Sequence, residues 1–473
     1  MKNFFIKERQ QNRGKIYTLI GVIFWLLIWE IAALISDNNL LVPSIGDTIV
    51  ALSQLVQESE FYLNCLVTLG RCFLAIIIST LLGVIFAWLA YSSDMVRNIL
   101  KLPVNFFKTV PVMAIIIYFI ILVESGWVPV LVSFLMCFPV MYTNMLSGLD
   151  GTDIKLLEVA QSFRLTTGQT MRYVYVPSSK ASFESALRLI SGLSWKAIVA
   201  AEVLAIPARS LGYQMMNAKY YLDTPKLFAY TLVIIGLSLL MEFVLIKILD
   251  FKEWKEYDHS KLSMVNSNSK EQVNSYDVSF DKVSKGYGSK HVLDDFSADI
   301  KIGQHVGIVG HSGIGKTTVS RMINGFDKPD FGSVTRDENL QISNLFQEDR
   351  LLPWLNVYDN IALGIINKGL SVNDERIFDV AKSLEIEDVL WKLPSQLSGG
   401  MQHRVALGRT YISDGDLFVL DEPFRGLDED LKDRIINRIW KGKLKDKTVV
   451  LISHNAEDIN RLCDIIINLE KNG

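Results

Sequence analysis

Long apolar runs fill the first half of the chain, and short apolar runs separated by turn residues and charges fill the second. A spanning helix needs roughly 20 apolar residues in sequence. Six stretches meet that length, near 16–35, 64–91, 104–123, 127–147, 183–206 and 227–249. The first is too long for a signal peptide, and no clear small-residue cleavage site follows it. From about Phe251 to Ser275 the chain turns polar, rich in Lys, Glu, Ser and Asn, which predicts a flexible connector. Beyond it, runs such as His305–Val309, 341–346, Leu417–Leu420 and 448–452 read as short buried strands. The pattern predicts a multidomain chain: an all-α six-helix transmembrane domain over 1–250, a linker over 251–275 and an α/β domain over 276–473.

Charge orients the spans, because cytoplasmic loops carry an excess of Lys and Arg. The N-terminus holds Lys2, Lys7, Arg9, Arg13 and Lys15, whereas Ser36 to Leu63 has no Lys or Arg. Arg97 and Lys101, and then Lys155, Arg164, Arg172 and Lys180 in a long loop at 150–182, fall on the inner side. Arg209, Lys219 and Lys226 run against the rule. Six crossings put both termini in the cytoplasm. Composition adds little that is specific. The 473 residues are 49% hydrophobic with a formal net charge of −3, so no global basic field points to nucleic acid. Cys65, Cys72, Cys137 and Cys463 lack metal-ligand spacing and read as buried thiols, and the six histidines do not cluster.

The chemistry centres on Gly310-His311-Ser312-Gly313-Ile314-Gly315-Lys316-Thr317, which fits G-x-x-x-x-G-K-[ST] between a strand and a helix over Thr317–Asn324. Glycines let main-chain N–H groups close around phosphates, and the helix start adds the positive end of its dipole. Lys316 would reach the β- and γ-phosphates, Thr317 would hold Mg²⁺, and Thr318 belongs to the same nucleotide-binding set.

Further elements follow in a fixed order. Tyr287 precedes the loop; Gln347 ends the strand 341–346 and opens Glu348-Asp349-Arg350-Leu351-Leu352-Pro353-Trp354; Leu397-Ser398-Gly399-Gly400-Met401-Gln402 opens a helix; Leu417–Leu420 runs into Asp421-Glu422; Asp428 and His454 come after. The set resembles the ATP-binding domain of ABC transporters. The resemblance implies that Tyr287 stacks on adenine, Gln347 and Asp421 contact Mg²⁺, and Ser398, Gly399 and Gly400 face the phosphate loop of a second copy. It further implies that Glu422 activates the attacking water, Asp428 lies in the loop between sites, and His454 contacts the γ-phosphate. Arg425 stands where the family usually has a small residue, and Asn455 where an acidic one is common.

The inner loop carries Glu158-Val159-Ala160 and then Pro177, which resembles the docking loop of ABC importer permeases. Glu158, Ala160 and Pro177 match that loop, while Arg164 replaces its glycine. Without an ATPase on the same chain, this would read as an amphipathic surface helix. The fifth span is polar, with Glu184, Arg188, Ser191, Ser194, Lys196 and Glu202. Charges in a bilayer are costly and tend to face a bundle interior or a water-filled path. Glu184 and Arg188 have the spacing to pair on one helix face. Lys196 is a candidate for the solute path, or pairs structurally with Glu202 or another helix; it lies about 120° from Glu202 around the helix. The run around Ser194–Glu202, then Asn217–Pro225, with Pro353-Trp354 in the second half, is similar to the importer branch for nitrate, sulfonates and taurine.

That resemblance implies a cytoplasmic-membrane homodimer that uses ATP and Mg²⁺ to import a small anionic solute, of the sulfonate, taurine or nitrate class, brought by a separate extracytoplasmic binding protein. The rivals are import of a pyrimidine-type vitamin precursor, an exporter, and a regulatory ATPase that carries nothing.

Overall fold

The structure, a computed structural model, describes residues 2–36, 41–251, 278–288, 290–311, 313–337, 340–366 and 374–470. The linker at 251–275 lies outside them except for Phe251, as does Ser312 of the phosphate loop. The chain divides into two units: Met1–Gly151 with Ser179–Lys255, and Thr152–Ser178 with Glu256–Gly473.

The first unit is helical. It holds α1 (Lys2–Ser36), α2 (Ile45–Leu55), α3 (Ser59–Ser92), α4 (Asp94–Thr109), α5 (Val112–Leu122) and α6 (Val128–Asp150). Next in sequence come α7 (Ile154–Ser162) and α8 (Thr167–Thr170), which belong to the second unit. The first unit then resumes in α9 (Val176–Ala205), from Ser179 on, with α10 (Leu211–Tyr220) and α11 (Thr224–Phe251). Among the described residues three helices are long and apolar enough to cross a membrane: Ser59–Ser92, Val128–Asp150 and Thr224–Leu245. The expected span at 104–123 is not one helix. The pair α4 and α5 bends by 103°, and counts as a fourth span only if taken together. Val110 and Pro111 are both extended there, and proline disfavours helix in the residue before it. The described apolar stretch of α1, Ile20–Ser36, is shorter, and α9 carries the charges already noted.

Close packing and one buried polar cluster organise this unit. At Gly83 of α3 an added Cβ would lie 2.6 Å from Met141 Cγ of α6, so glycine lets those helices approach. Fully buried Glu202 of α9 accepts from Arg71 of α3 (2.7 Å), from the Thr68 hydroxyl (3.0 Å) and from the Gly212 main-chain N–H (3.2 Å). Lys196 is exposed on α9 and does not pair with Glu202, which Arg71 satisfies from another helix. Glu184 pairs with Lys180 one turn back, at 3.6 Å, rather than with Arg188. Cys65, Cys72 and Cys137 are buried and unpaired, as expected, and Cys463 is half-buried.

The second unit is α/β. Its remaining elements are β1 (Val278–Tyr287), β2 (Lys290–Ile300), β3 (His305–Val309), α12 (Lys316–Asn324), β4 (Phe331–Arg336), β5 (Ile342–Leu345), α13 (Val357–Ala362) and α14 (Glu375–Ser383). They continue through α15 (Gly399–Ile412), β6 (Leu417–Asp421), α16 (Glu429–Ile435), β7 (Thr448–Ile452), α17 (Ala456–Leu462) and β8 (Ile465–Asn468). Strands β2, β1 and β4 form an antiparallel sheet, and β5, β6, β7, β3 and β8 a parallel one in that order. Every residue of β6 and β7 is buried, as continuous apolar runs in a parallel sheet should be. The loops leaving the carboxyl ends of β3, β5, β6 and β7 carry the chemistry, the usual place for a ligand in an open parallel sheet.

Candidate nucleotide site

The loop after β3 turns on glycines in left-handed or otherwise strained conformations. Gly313 has φ +83° and Gly315 φ +120°, and a Cβ at Gly315 would sit 3.0 Å from both Leu293 and Val292. Lys316, the first residue of α12, is buried; its Nζ donates to the carbonyls of Gly310 (2.6 Å) and His311 (3.1 Å) and stays inside the loop. Glu470 accepts from the His311 main-chain N–H at 2.9 Å.

A cavity of about 330 Å³ opens over this loop. Tyr287, Gly313, Gly315, Lys316, Thr317, Thr318, Gln347, Asp421, Glu422 and His454 line it, with Val292 and Ile452. Ten sequence-derived site residues therefore meet at one place. Gly310, His311 and Ile314 complete the loop behind them. Ser398, Gly399, Gly400 and Asp428 do not line this cavity. Ser398 caps α15, accepting from the Met401 N–H (3.3 Å), and Asp428 caps α16, accepting from the Leu431 N–H (2.8 Å).

The acidic pair ends β6. Burial, reinforced by the neighbouring Glu422 charge, pushes the Asp421 carboxyl up to about 7. Glu422 sits at φ +53°, a conformation costly for a side chain of its size. Its own N–H donates to the Ile452 carbonyl (2.8 Å), and its Oε1 accepts from the His454 main-chain N–H (3.0 Å), with His454 Nε2 at 3.6 Å. A carboxylate held through its main chain and one oxygen, facing a phosphate loop, has the geometry to orient a water for in-line attack. The oxygens of Thr317, Gln347 and Asp421 share the cavity, and hard divalent cations prefer oxygen donors. No cluster of three or more His, Cys, Asp or Glu that could hold a metal occurs among the described residues. Mg²⁺ commonly takes one or two carboxylates and draws the rest from waters and phosphates.

The inner loop's Glu158 packs onto this same unit. Its carboxylate accepts from Arg321 Nη2 (2.8 Å) and Nη1 (3.2 Å), and from Arg350 Nη1 (2.5 Å). Arg321 also donates to Asp327, at 2.9 Å, and Asp327 accepts from the Tyr287 hydroxyl (2.5 Å). Those bonds to Asp327, and then to Glu158, hold Arg321 firmly protonated. Val159, Ala160, Tyr173 and Val174 pack with Phe346, Leu352, Leu355 and Leu363. Arg164 adopts φ +51°, the left-handed turn that glycine makes without strain, and the Leu165 N–H closes it onto the Ala160 carbonyl (2.8 Å). A 2.5 Å bond from its guanidinium to the Leu340 carbonyl offsets the strain. Pro177 follows one turn of π-helix at Met171–Tyr175. Sequence reasoning did not identify Arg321 or Arg350 as partners of Glu158, because those pairings join residues far apart along the chain.

Comparison with known proteins finds relatives for both halves of the chain. The sequence model of the family described as "ABC transporter" matches residues 293–425, and that of "Binding-protein-dependent transport system inner membrane component" matches 79–252. The aliphatic sulfonates import ATP-binding protein SsuB 1 of Agrobacterium fabrum is 33% identical over 199 residues, covering 41% of this chain and 71% of that protein. The thiamine import ATP-binding protein ThiQ of Shigella boydii is 35% identical over 186 residues, 37% of this chain and 80% of that one. The maltose/maltodextrin import ATP-binding protein MalK of Mannheimia succiniciproducens is 36% identical over 210 residues, 41% of this chain but only 56% of that one. The chain belongs to the ABC transporter family, as an importer with its membrane permease and its ATP-hydrolysing domain in one polypeptide.

Proposed function

We propose that this chain works as a homodimer that imports a small anionic solute, of the sulfonate, taurine or nitrate class, across the cytoplasmic membrane. A separate extracytoplasmic binding protein delivers the solute. The observation that carries the reading is Glu158: a segment that interrupts the membrane helices is held by Arg321, on the helix after the phosphate loop, and by Arg350, in the loop that starts at Gln347. Motion at the nucleotide is thereby tied to the chain that leads back into the spans.

In this reading residues 1–250 form the permease with its coupling loop at 150–182, residues 251–275 the linker, and residues 276–473 the ATPase. Six crossings leave both termini cytoplasmic. Two chains give two composite sites, each with Lys316 from one and Ser398, Gly399, Gly400 and Asp428 from the other; this agrees with the absence of those four from the cavity lining of a single chain. Tyr287 stacks on adenine. The loop from Gly310 to Thr318 cradles the phosphates, with Lys316 on the β- and γ-phosphates. Thr317, Gln347 and Asp421 would hold Mg²⁺, whose charge would favour the ionised form of buried Asp421 and would neutralise phosphate charge. Glu422 orients the attacking water and takes its proton, and His454 contacts the γ-phosphate. ATP favours the closed pair of ATPase domains, and differential affinity for that state drives the change. Lys196, exposed on α9 of a single chain, lies on the solute path, which a second copy would complete.

The sulfonate-class reading leans on the A. fabrum relative and on the sequence around Ser194–Pro225. Import of a pyrimidine-type vitamin precursor is favoured instead by the thiamine-importing relative. Purification from native membranes, with mass spectrometry of co-purifying proteins and small molecules, decides between them. A binding protein carrying a sulfonate, taurine or nitrate supports the first reading; one carrying a pyrimidine replaces it. ATPase activity that responds only to a solute added on the cytoplasmic side would favour export, and activity indifferent to any solute a regulatory role.

A further inference from the structure

Arg425, which stands where the family usually has a small residue, is bonded to the loop that carries Gln347. Its Nη1 donates to the Gln347 main-chain carbonyl at 2.8 Å, and its Nη2 donates to Asp349 Oδ1 at 3.3 Å. The same Asp349 oxygen lies 2.8 Å from Nδ1 of buried His403 on α15, and His403 Nε2 lies 3.1 Å from the carbonyl oxygen of Pro423. Arg409, fully buried on α15, donates to the carbonyls of Asp349 (2.9 Å) and Arg350 (3.0 Å). Two guanidiniums thus hold three carbonyls within four residues, and Arg350 keeps the strained φ of +44° that such holds can sustain. The turn that supplies Arg425 begins at Glu422, and the Arg425 N–H donates to the Glu422 carbonyl at 3.2 Å. Gln347 and Glu422 line the same cavity.

We propose that Arg425 is a positioning residue for ATP hydrolysis. It fastens the Gln347 carbonyl and the Asp349 carboxylate to the turn beginning at Glu422, so that the Gln347 side chain and the Asp421–Glu422 pair keep one register across the cavity. The proposal rests on the placement of Gln347 and Glu422 in the hydrolytic site. A planar guanidinium fork reaches both acceptors at once, which a single ammonium does not. Arg425 is half-exposed, and the largely buried Asp349 carboxylate keeps its 2.8 Å contact with His403 when Arg425 is lost, so the fold should stay intact.

The test is steady-state ATPase of the full-length chain in lipid nanodiscs, measured against both ATP and Mg²⁺ concentration. Arg425→Ala should lower kcat roughly tenfold, the worth of one charge-assisted hydrogen bond. KM for ATP and the unfolding temperature should hold, and half-maximal turnover should need more Mg²⁺. Arg425→Lys should rescue little. Asp349→Asn should slow turnover, and the double variant should be no slower than the worse single one. Wild-type turnover in Arg425→Ala, or effects that multiply in the double variant, would overturn the proposal; multiplication would mean that Arg425 acts on something other than this loop. Gln347→Ala separates the levels. If it too turns over normally, the site reading itself fails; if it is slow while Arg425→Ala is not, only the positioning role fails.

Discussion

Replacing Glu158 with alanine tests the coupling reading at its most connected residue. The Glu158 side chain is 10% exposed, Arg350 13% and Arg321 30%, so these bonds are largely shielded from water. The loss falls unequally. Arg321 keeps Asp327 at 2.9 Å, whereas among the described residues Arg350 keeps only the Phe346 ring, 4.1 Å below its guanidinium, in place of a carboxylate. Removing one partner of a buried pair costs about 3–5 kcal/mol. The remaining ring contact and the residual exposure argue for the lower end, about 3 kcal/mol, or roughly 150-fold in the equilibrium that holds α7 in place. Hydrogen exchange reads that equilibrium directly, because amides freed by local opening exchange at a rate set by the opening free energy. In Glu158→Ala, amides of Ile154–Ser162 should lose about two orders of magnitude of protection, while those of the fully buried strands β6 and β7 should keep theirs. ATP-driven uptake should fall with α7 protection while basal ATPase persists. Unchanged protection across α7 would refute the energetic argument, and unchanged uptake would refute the coupling role.

Two further outcomes follow from the nucleotide site. Glu422→Gln keeps the shape and loses the base; ATP binding should survive and turnover drop by at least about 100-fold, so normal turnover in an ATPase assay would remove Glu422 from its role. Asp421, pushed up to about 7 from 3.8, binds its proton more tightly in the folded than in the unfolded chain. Its contribution to stability is therefore lost as pH rises from about 4 to about 7. For the nucleotide-free protein, thermal unfolding should show Asp421→Asn more stable than the parent at pH 8, with the gap closing toward pH 4; a pH-independent gap would show that burial is not the cause.

The nucleotide site was legible in the sequence because each of its parts is local. The loop, its glycines and the strand before it occupy one short window, and β7 falls on the predicted residues. The strand expected at 341–346 is shorter, Ile342–Leu345, since the ends of short strands are set by pairing. What remained hidden depends on distant partners. Glu158 meets Arg321 and Arg350 across 163 and 192 positions, and Glu202 meets Arg71 across 131. No periodicity within a single chain encodes those pairings. Arg164 looked like the loss of a glycine turn, yet the turn forms, because a long side chain that takes the left-handed conformation can also reach the Leu340 carbonyl. The bend at Val110–Pro111 was hidden for another reason: hydropathy measures apolar length and is blind to direction.

Import by this chain can be read in sealed vesicles that hold the purified protein, with ATP on the ATPase side and the co-purified binding protein and its radiolabelled solute on the other. Solute should accumulate on the ATP side, dependent on the binding protein, and the accumulation should be lost in Glu422→Gln. Solute movement away from the ATP side, or accumulation that needs no binding protein, would contradict this reading.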